Sequence, residues 1–291
     1  MSGEEEVVPM RSSNPVFSNS EGFNSHGGQG QGYGQQQYGR QQYGQTNAPQ
    51  TGYGQGSDPS QWQYPTSQTL EERMTIDSVV MRTATTLAVV VISAALTWAV
   101  MPDEYLGMAW MIGAFGGLGM AFAVSFMRKV NPVLVLAYAA LEGLFLGAIS
   151  EVYHDIADGA VTGAVLGTVA AFAATLAAYK FFNIQVTDKF RKYVTIAAFG
   201  FFAVLMLDFV LALFGNAMGF GGLGPLGLIT SFVGLGLGIF MLILDFDMVE
   251  QGVAAGLPEQ ESWRAAFGLT VTLIWIYINL LRIFAILSSD G

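Results

Sequence analysis

Beyond residue 73 the chain consists of long apolar runs that short polar stretches separate. A helix needs about 20 apolar residues to cross a hydrocarbon core about 30 Å thick. Seven segments qualify: 79–101, 105–127, 132–150, 159–179, 194–214, 223–244 and 266–287. These segments lack the polar faces that would shield them from water in a soluble protein. The pattern therefore predicts an all-α, polytopic membrane protein whose residues 74–291 form a seven-transmembrane-helix bundle.

Residues 1–73 have a different composition, rich in Gly, Gln and Tyr. Tyr33, Tyr38 and Tyr43 recur at intervals of five residues within this polar stretch. Such a composition buries too little apolar surface to offset the entropy of the chain, so we expect a disordered cytoplasmic tail. The alternative is that its tyrosines support weak self-association.

The overall composition narrows the class of protein further. Only 12% of the residues are charged, against about 25% in soluble domains. The formal net charge of −10 excludes the basic footprint of a nucleic-acid-binding protein. The absence of cysteine excludes disulfides and thiol nucleophiles. We see no cofactor motif, and we expect neither a cofactor nor an enzymatic activity.

The basic residues indicate how the chain crosses the membrane. Eleven of the twelve Lys and Arg residues lie in the tail, the edge of the first span, or loops 2–3, 4–5 and 6–7. Basic residues accumulate on the cytoplasmic side. We therefore expect a multi-pass protein of the inner or plasma membrane with a cytoplasmic N-terminus and an extracytoplasmic C-terminus.

Two opposite charges fall within the predicted spans. Asp208 lies about 21 Å from the inner end of the fifth span, and Arg282 lies about 24 Å from the inner end of the seventh. Ionisable residues at such depths are costly and are candidate site residues by default. Their shared level predicts an intramembrane ion pair, which could serve only to clamp two helices together.

Three further acids are candidates. Glu142 lies near the middle of the third span, so it is expected either to be neutral or to line a water-filled path. Asp245 and Asp247 end the sixth span at the inner mouth. They could be an ordinary polar helix end, a proton-sensitive gate, or a weak site for a divalent cation, with Asp245 as the calcium ligand. Asp208 and Asp245 differ in level by about 20 Å, which excludes an aspartyl protease dyad.

Several stretches together resemble the Bax inhibitor-1 (transmembrane Bax inhibitor motif) family, in a bacterial branch. They are YINLLRIFAIL at 277–287, LDFD at 244–247, NPVLVLAYAALEG at 131–143 and SNPVF at 13–17. The resemblance covers residues 74–290 and the short motif in the tail. The signature in the seventh span is the most specific of them.

The resemblance implies a compact bundle around a central seventh helix and a passive, pH-sensitive calcium leak. It also implies a gate of two aspartates that share a proton, modulated by an arginine near the second span's inner end. Asp245 matches the first aspartate, Arg128 is the nearest match to that arginine, and Arg282 matches the family's arginine in the seventh span. Thr272 occupies the second aspartate's position. A hydroxyl cannot share a proton as a second carboxylate does, so we expect weaker pH dependence.

The sequence thus favours a membrane protein that conducts or senses ions passively, with the lipid bilayer and Ca²⁺ or H⁺ as its partners. The alternative is a regulatory protein that binds a membrane protease or stress-response partner through its tail.

Overall fold

The computed structural model describes residues 73–289, and these residues form seven helices joined by short loops. The helices are α1 (Ile76–Val100), α2 (Asp103–Phe126), α3 (Pro132–Ile156), α4 (Ala160–Phe181), α5 (Asp188–Leu213), α6 (Pro225–Ala254) and α7 (Glu261–Ser289). The predicted tail, except Arg73, lies outside the described residues, so the expectation of disorder is not addressed there.

All seven helices are long and apolar enough to cross a membrane. The prediction of a seven-helix polytopic membrane protein is therefore confirmed. Large apolar side chains cover the outside of the bundle, as Phe199 and Leu166 illustrate at 72% and 65% exposure. Lipid is the environment that such a surface requires.

Local sequence explains where several helices begin. The Thr75 hydroxyl accepts from the backbone N–H of Ser78, and the Ser78 hydroxyl accepts in return from the N–H of Thr75. This reciprocal pair is a capping box, which satisfies two of the free donors at a helix start. Asn131 and Thr187 cap α3 and α5 more simply, because each side chain accepts one backbone N–H and no reciprocal bond is formed.

Three helices extend well beyond the predicted apolar spans. Helix α6 continues past Leu244 to Ala254, α5 begins at Asp188 rather than Val194, and α3 runs on to Ile156. Hydropathy ends a span at its first charges, whereas a helix continues as long as its polar side chains reach partners or water. The acids that end the sixth span consequently lie inside α6 rather than at its end.

Helix α7 is the centre of the bundle. It packs against α1, α3, α4 and α6. In its most apolar stretch 61% of the residues are buried, against 6% in that of α5. Among the seven described helices, α6 is the one whose backbone that of α5 approaches. This arrangement agrees with the central seventh helix that the family resemblance implies.

Small residues let α1 and α3 approach closely. A Cβ placed at Gly143 would lie 2.5 Å from the carbonyl oxygen of Val90, and one at Gly147 would lie 2.5 Å from that of Ala94. The two glycines stand four residues apart and so share one face of α3. This is the close small-residue packing that the sequence spacing favours.

One end of the bundle gathers the start of α1 and the loops α2–α3, α4–α5 and α6–α7, and we call it the basic end because most of the described Lys and Arg residues lie there. Several contacts join these pieces. The Arg82 guanidinium pairs with Glu259 at 2.7 Å and lies over the ring of Trp263. The Ser78 and Ser262 hydroxyls lie 2.7 Å apart. The start of α1 is therefore fixed to the α6–α7 loop and to the first turn of α7.

Candidate functional site

The site is built where α6 and α7 meet near the basic end. The Thr272 hydroxyl donates a 2.6 Å hydrogen bond to Oδ2 of Asp245. Thr272 is buried at 2% exposure. One turn earlier on α7, Gly268 lies against the other carboxylate oxygen, since a Cβ there would come within 3.6 Å of Oδ1. The position at which the family resemblance implies a second aspartate thus lies directly against Asp245.

Glycines on α6 set the register of this interface. A Cβ at Gly238 would lie 2.7 Å from Cγ1 of Ile276. The Trp275 indole donates to the carbonyl oxygen of Gly234 at 2.8 Å. Close helix approach and a fixed indole together determine which residues face each other, and they place Asp245 opposite Thr272.

Asp247 lies on another face of α6 and has its own partners. The Arg191 guanidinium bonds to its Oδ2 at 2.6 Å, and the Gln251 amide bonds to the same oxygen at 2.8 Å. Asp245 and Asp247 therefore do not act as one pair of carboxylates. Sequence analysis did not single out Arg191, although its place in the basic loop between spans four and five was a usable signal.

Arg128 does not approach Asp245. Its side chain is exposed in the α2–α3 loop, and no hydrogen bond or ion pair joins these two residues in the described part of the chain. The carbonyl oxygens of Met127 and Arg128 instead accept from Arg264. No contact between Arg128 and Asp245 in the described residues supports the expectation that Arg128 modulates the gate directly.

The predicted ion pair between Asp208 and Arg282 is wrong. The Asp208 carboxylate accepts from the backbone N–H groups of Met218, Gly219 and Gly221, at 2.6, 3.2 and 2.9 Å. The α5–α6 loop folds back over the acid, and Gly219 adopts a φ of 90° that a residue with a side chain rarely takes. Arg282 has a buried Nε that makes no hydrogen bond.

Glu142 lies at the interface of α2 and α3, away from Asp245. A Cβ at Gly117 would lie 2.7 Å from Oε1 of Glu142, so the carboxyl fills the space that the glycine leaves. The Tyr138 side chain is its polar neighbour one turn earlier. Glu142 therefore does not line the cavity beside Asp245, and its expected role as a lining residue finds no support there.

A cavity of about 570 Å³ lies beside Asp245, between α5, α6 and α7. No pattern in the sequence indicated this cavity. Its polar lining comes from Arg191, Thr195, Asp245 and Gln251. The rest of its wall is mostly apolar and includes Phe199, Phe202, Leu237, Met241, Leu244 and Trp275.

The residues at Asp245 are too few for a resident metal ion. No group of three or more His, Asp or Glu residues is placed to hold a metal within residues 73–289. Calcium takes about six to eight oxygen ligands, whereas Asp245 and Thr272 offer three side-chain oxygens. Asp245 and Thr272 alone therefore do not complete the coordination shell of a calcium ion.

The chain is similar to known proteins in sequence. The model of a family described as Bax inhibitor 1 like matches residues 14–289. A protein of Chlamydia muridarum (strain MoPn / Nigg), named only as an uncharacterized protein, is 25% identical over 191 residues. That match covers 62% of this chain and 77% of the relative.

Proposed function

We propose that this chain, which belongs to the Bax inhibitor 1 like family, is a passive leak for cations across the membrane. In this proposal calcium is the permeant ion. Asp245 is the acidic gate, and Thr272 is its partner on α7. The proposed function involves no covalent chemistry, so in this proposal the protein is not an enzyme.

The observation that carries this proposal is the single hydrogen bond between Thr272 and Asp245. It joins the central helix to a neighbour at one end of the bundle. A carboxylate attracts cations, and a buried hydroxyl donor fixes the direction in which it points. Separation of α6 and α7 would free both side chains to replace part of the hydration shell of a passing ion.

The orientation follows from the distribution of basic residues. In this proposal the basic end faces the cytoplasm, the N-terminus is cytoplasmic, and the C-terminus lies on the other side of the cell membrane. Asp245 then lies in the cytoplasmic half of the bundle and acts as the gate from that side.

Calcium flux in proteoliposomes tests the proposal. The intact protein should release calcium down its gradient, and Asp245→Asn should slow that release by at least about tenfold, since the amide removes the charge but keeps the shape. Glu250→Gln is the matched control: Glu250 also lies near the basic end of α6, but it bonds to Tyr179 and should leave flux unchanged. Flux that is absent from the intact protein, or equal in Asp245→Asn, would contradict the proposal.

The second candidate is an interaction protein that acts on a membrane protease or stress-response partner. The observation that favours it is the contact between the last residues before α1 and the α6–α7 loop. The N–H of Met74 donates to the carbonyl oxygen of Leu257 at 2.7 Å. The backbones of Arg73 and Pro258 form an isolated antiparallel β-bridge. A partner that binds the tail would thereby pull on the loop that leads into α7.

Removal of residues 1–70 distinguishes the two candidates. A leak should persist in liposomes after the deletion, because Asp245 and Thr272 remain. A partner-dependent function should disappear in cells that produce only the shortened chain, and the partner should no longer copurify.

A further inference from the structure

The cavity beside Asp245 has the wall of a site for a hydrophobic molecule. Three aromatic side chains, Phe199, Phe202 and Trp275, contribute to its lining. Its volume of about 570 Å³ lies within the range of about 300–1,000 Å³ typical of pockets for drug-sized ligands. A single metal ion would leave most of this space unfilled.

The charge of the cavity favours a cation. Of the two charged residues in its wall, Arg191 is already neutralised by its 2.6 Å ion pair with Asp247. Within residues 73–289, the hydrogen-bond partner of Asp245 is the neutral hydroxyl of Thr272. When Asp245 is ionised, the three side chains therefore carry one net negative charge, that of the Asp245 carboxylate in the cavity wall.

The aromatic walls are also suited to a cation. The faces of aromatic rings attract a positive charge, most strongly when that charge is removed from water. The Trp275 ring is held in place by its hydrogen bond to Gly234 and by an edge-to-face contact with Phe201 at 5.6 Å between centroids. A fixed ring costs little further ordering when a ligand binds.

The rim gives such a ligand a way in. Phe199 and Met248 border the cavity and are 72% and 50% exposed. Helix α5, which forms this side, packs its backbone only against α6. A molecule dissolved in the bilayer can therefore reach the cavity sideways, past the exposed side chains of Phe199 and Met248.

We propose that this cavity binds a lipophilic organic cation, such as a quaternary phosphonium or ammonium carrying aromatic or alkyl arms. The arms pack against Phe199, Phe202 and Trp275, and the positive centre faces the carboxylate of Asp245. A bound ligand would then lie beside the hydrogen bond between Asp245 and Thr272.

This inference goes beyond the passage of inorganic ions. It shares Asp245 with the proposed gate, but binding does not require that the protein conduct. Direct binding and calcium flux are therefore separate measurements, and either can fail without the other.

Two probes of the same shape and opposite charge test the proposal. Tetraphenylphosphonium and tetraphenylborate are titrated by calorimetry into the full-length protein in nanodiscs of zwitterionic lipid, with empty nanodiscs subtracted. The phosphonium should bind at least about tenfold more tightly than the borate. Equal binding of the two, or tighter binding of the borate as expected for a site that takes anionic lipid, would overturn the proposal.

Variants locate the binding. Asp245→Asn should weaken phosphonium binding by at least about tenfold, whereas Glu250→Gln removes a charge outside the cavity wall and should leave it unchanged. Unchanged phosphonium binding in Asp245→Asn would also overturn the proposal. The comparison of the two probes in the unaltered protein remains decisive if Asp245→Asn does not fold.

Discussion

Thr272 on the central helix donates a 2.6 Å hydrogen bond to the carboxylate of Asp245 on α6. The family resemblance places a second aspartate at position 272, so this chain has a hydroxyl where two carboxylates would otherwise share a proton. A hydroxyl donates to a carboxylate without competing with it for a proton. The contact between α6 and α7 is therefore retained, whereas its sensitivity to pH should be weak.

Restoring the second acid should restore pH sensitivity. Thr272→Asp places two carboxylates in contact, and two interacting acids titrate as a coupled pair. We expect calcium flux from proteoliposomes to change little between about pH 6 and 8 in the unaltered protein and severalfold in Thr272→Asp. Thr272→Asn, which matches the shape of aspartate but does not titrate, is the control and should stay flat. A steep profile in the unaltered protein that Asp245→Asn abolishes would show that Asp245 alone suffices.

Asp208 should stabilise the protein through the α5–α6 loop rather than through Arg282. Asp208→Asn replaces one acceptor oxygen with a donor, so backbone N–H groups lose their partner at a cost of about 1–3 kcal/mol. Because the two residues are not paired, Asp208→Asn and Arg282→Gln should be additive in unfolding free energy to within about 0.5 kcal/mol. Denaturation of both single variants and the double variant in mild detergent measures the coupling between the two positions. A coupling energy well above that of independent sites would show that Asp208 and Arg282 are paired after all.

The close contact of α1 with α3 gives a third prediction. Gly143→Ala introduces a Cβ at 2.5 Å from the Val90 carbonyl oxygen, and overpacking of this kind costs about 1–3 kcal/mol. Gly200→Ala on α5 meets nothing within 4 Å and gains up to about 1 kcal/mol of helix propensity. Thermal unfolding should therefore move in opposite directions. Equal shifts would mean that α1 and α3 are not this close.

The seven helices could be predicted because crossing a bilayer imposes a length and a composition that are visible in every segment. The position of Thr272 opposite Asp245 could also be predicted, because the family resemblance implies a residue there that shares a proton with Asp245. Neither inference needs information on how the helices rotate.

The Asp208–Arg282 pairing failed because depth along a helix does not determine the direction in which a side chain points. Residues 218–221, which are rich in glycine, fold back and supply N–H groups to Asp208. The hydropathy of the sequence does not predict the conformation of such a loop. The cavity was missed for a related reason. It arises from the loose packing of α5, which only the three-dimensional arrangement reveals.

The charge at position 245 tests the proposed gate most directly, and a chain without cysteine allows that charge to be set chemically. Asp245→Cys is reconstituted and treated with a negatively charged or a positively charged methanethiosulfonate, and calcium flux is measured for each adduct. Glu250→Cys serves as the control outside the cavity wall. The account predicts that the negative adduct at 245 conducts at least about tenfold faster than the positive one, with no such difference at 250. Equal flux for the two adducts at 245 would contradict it.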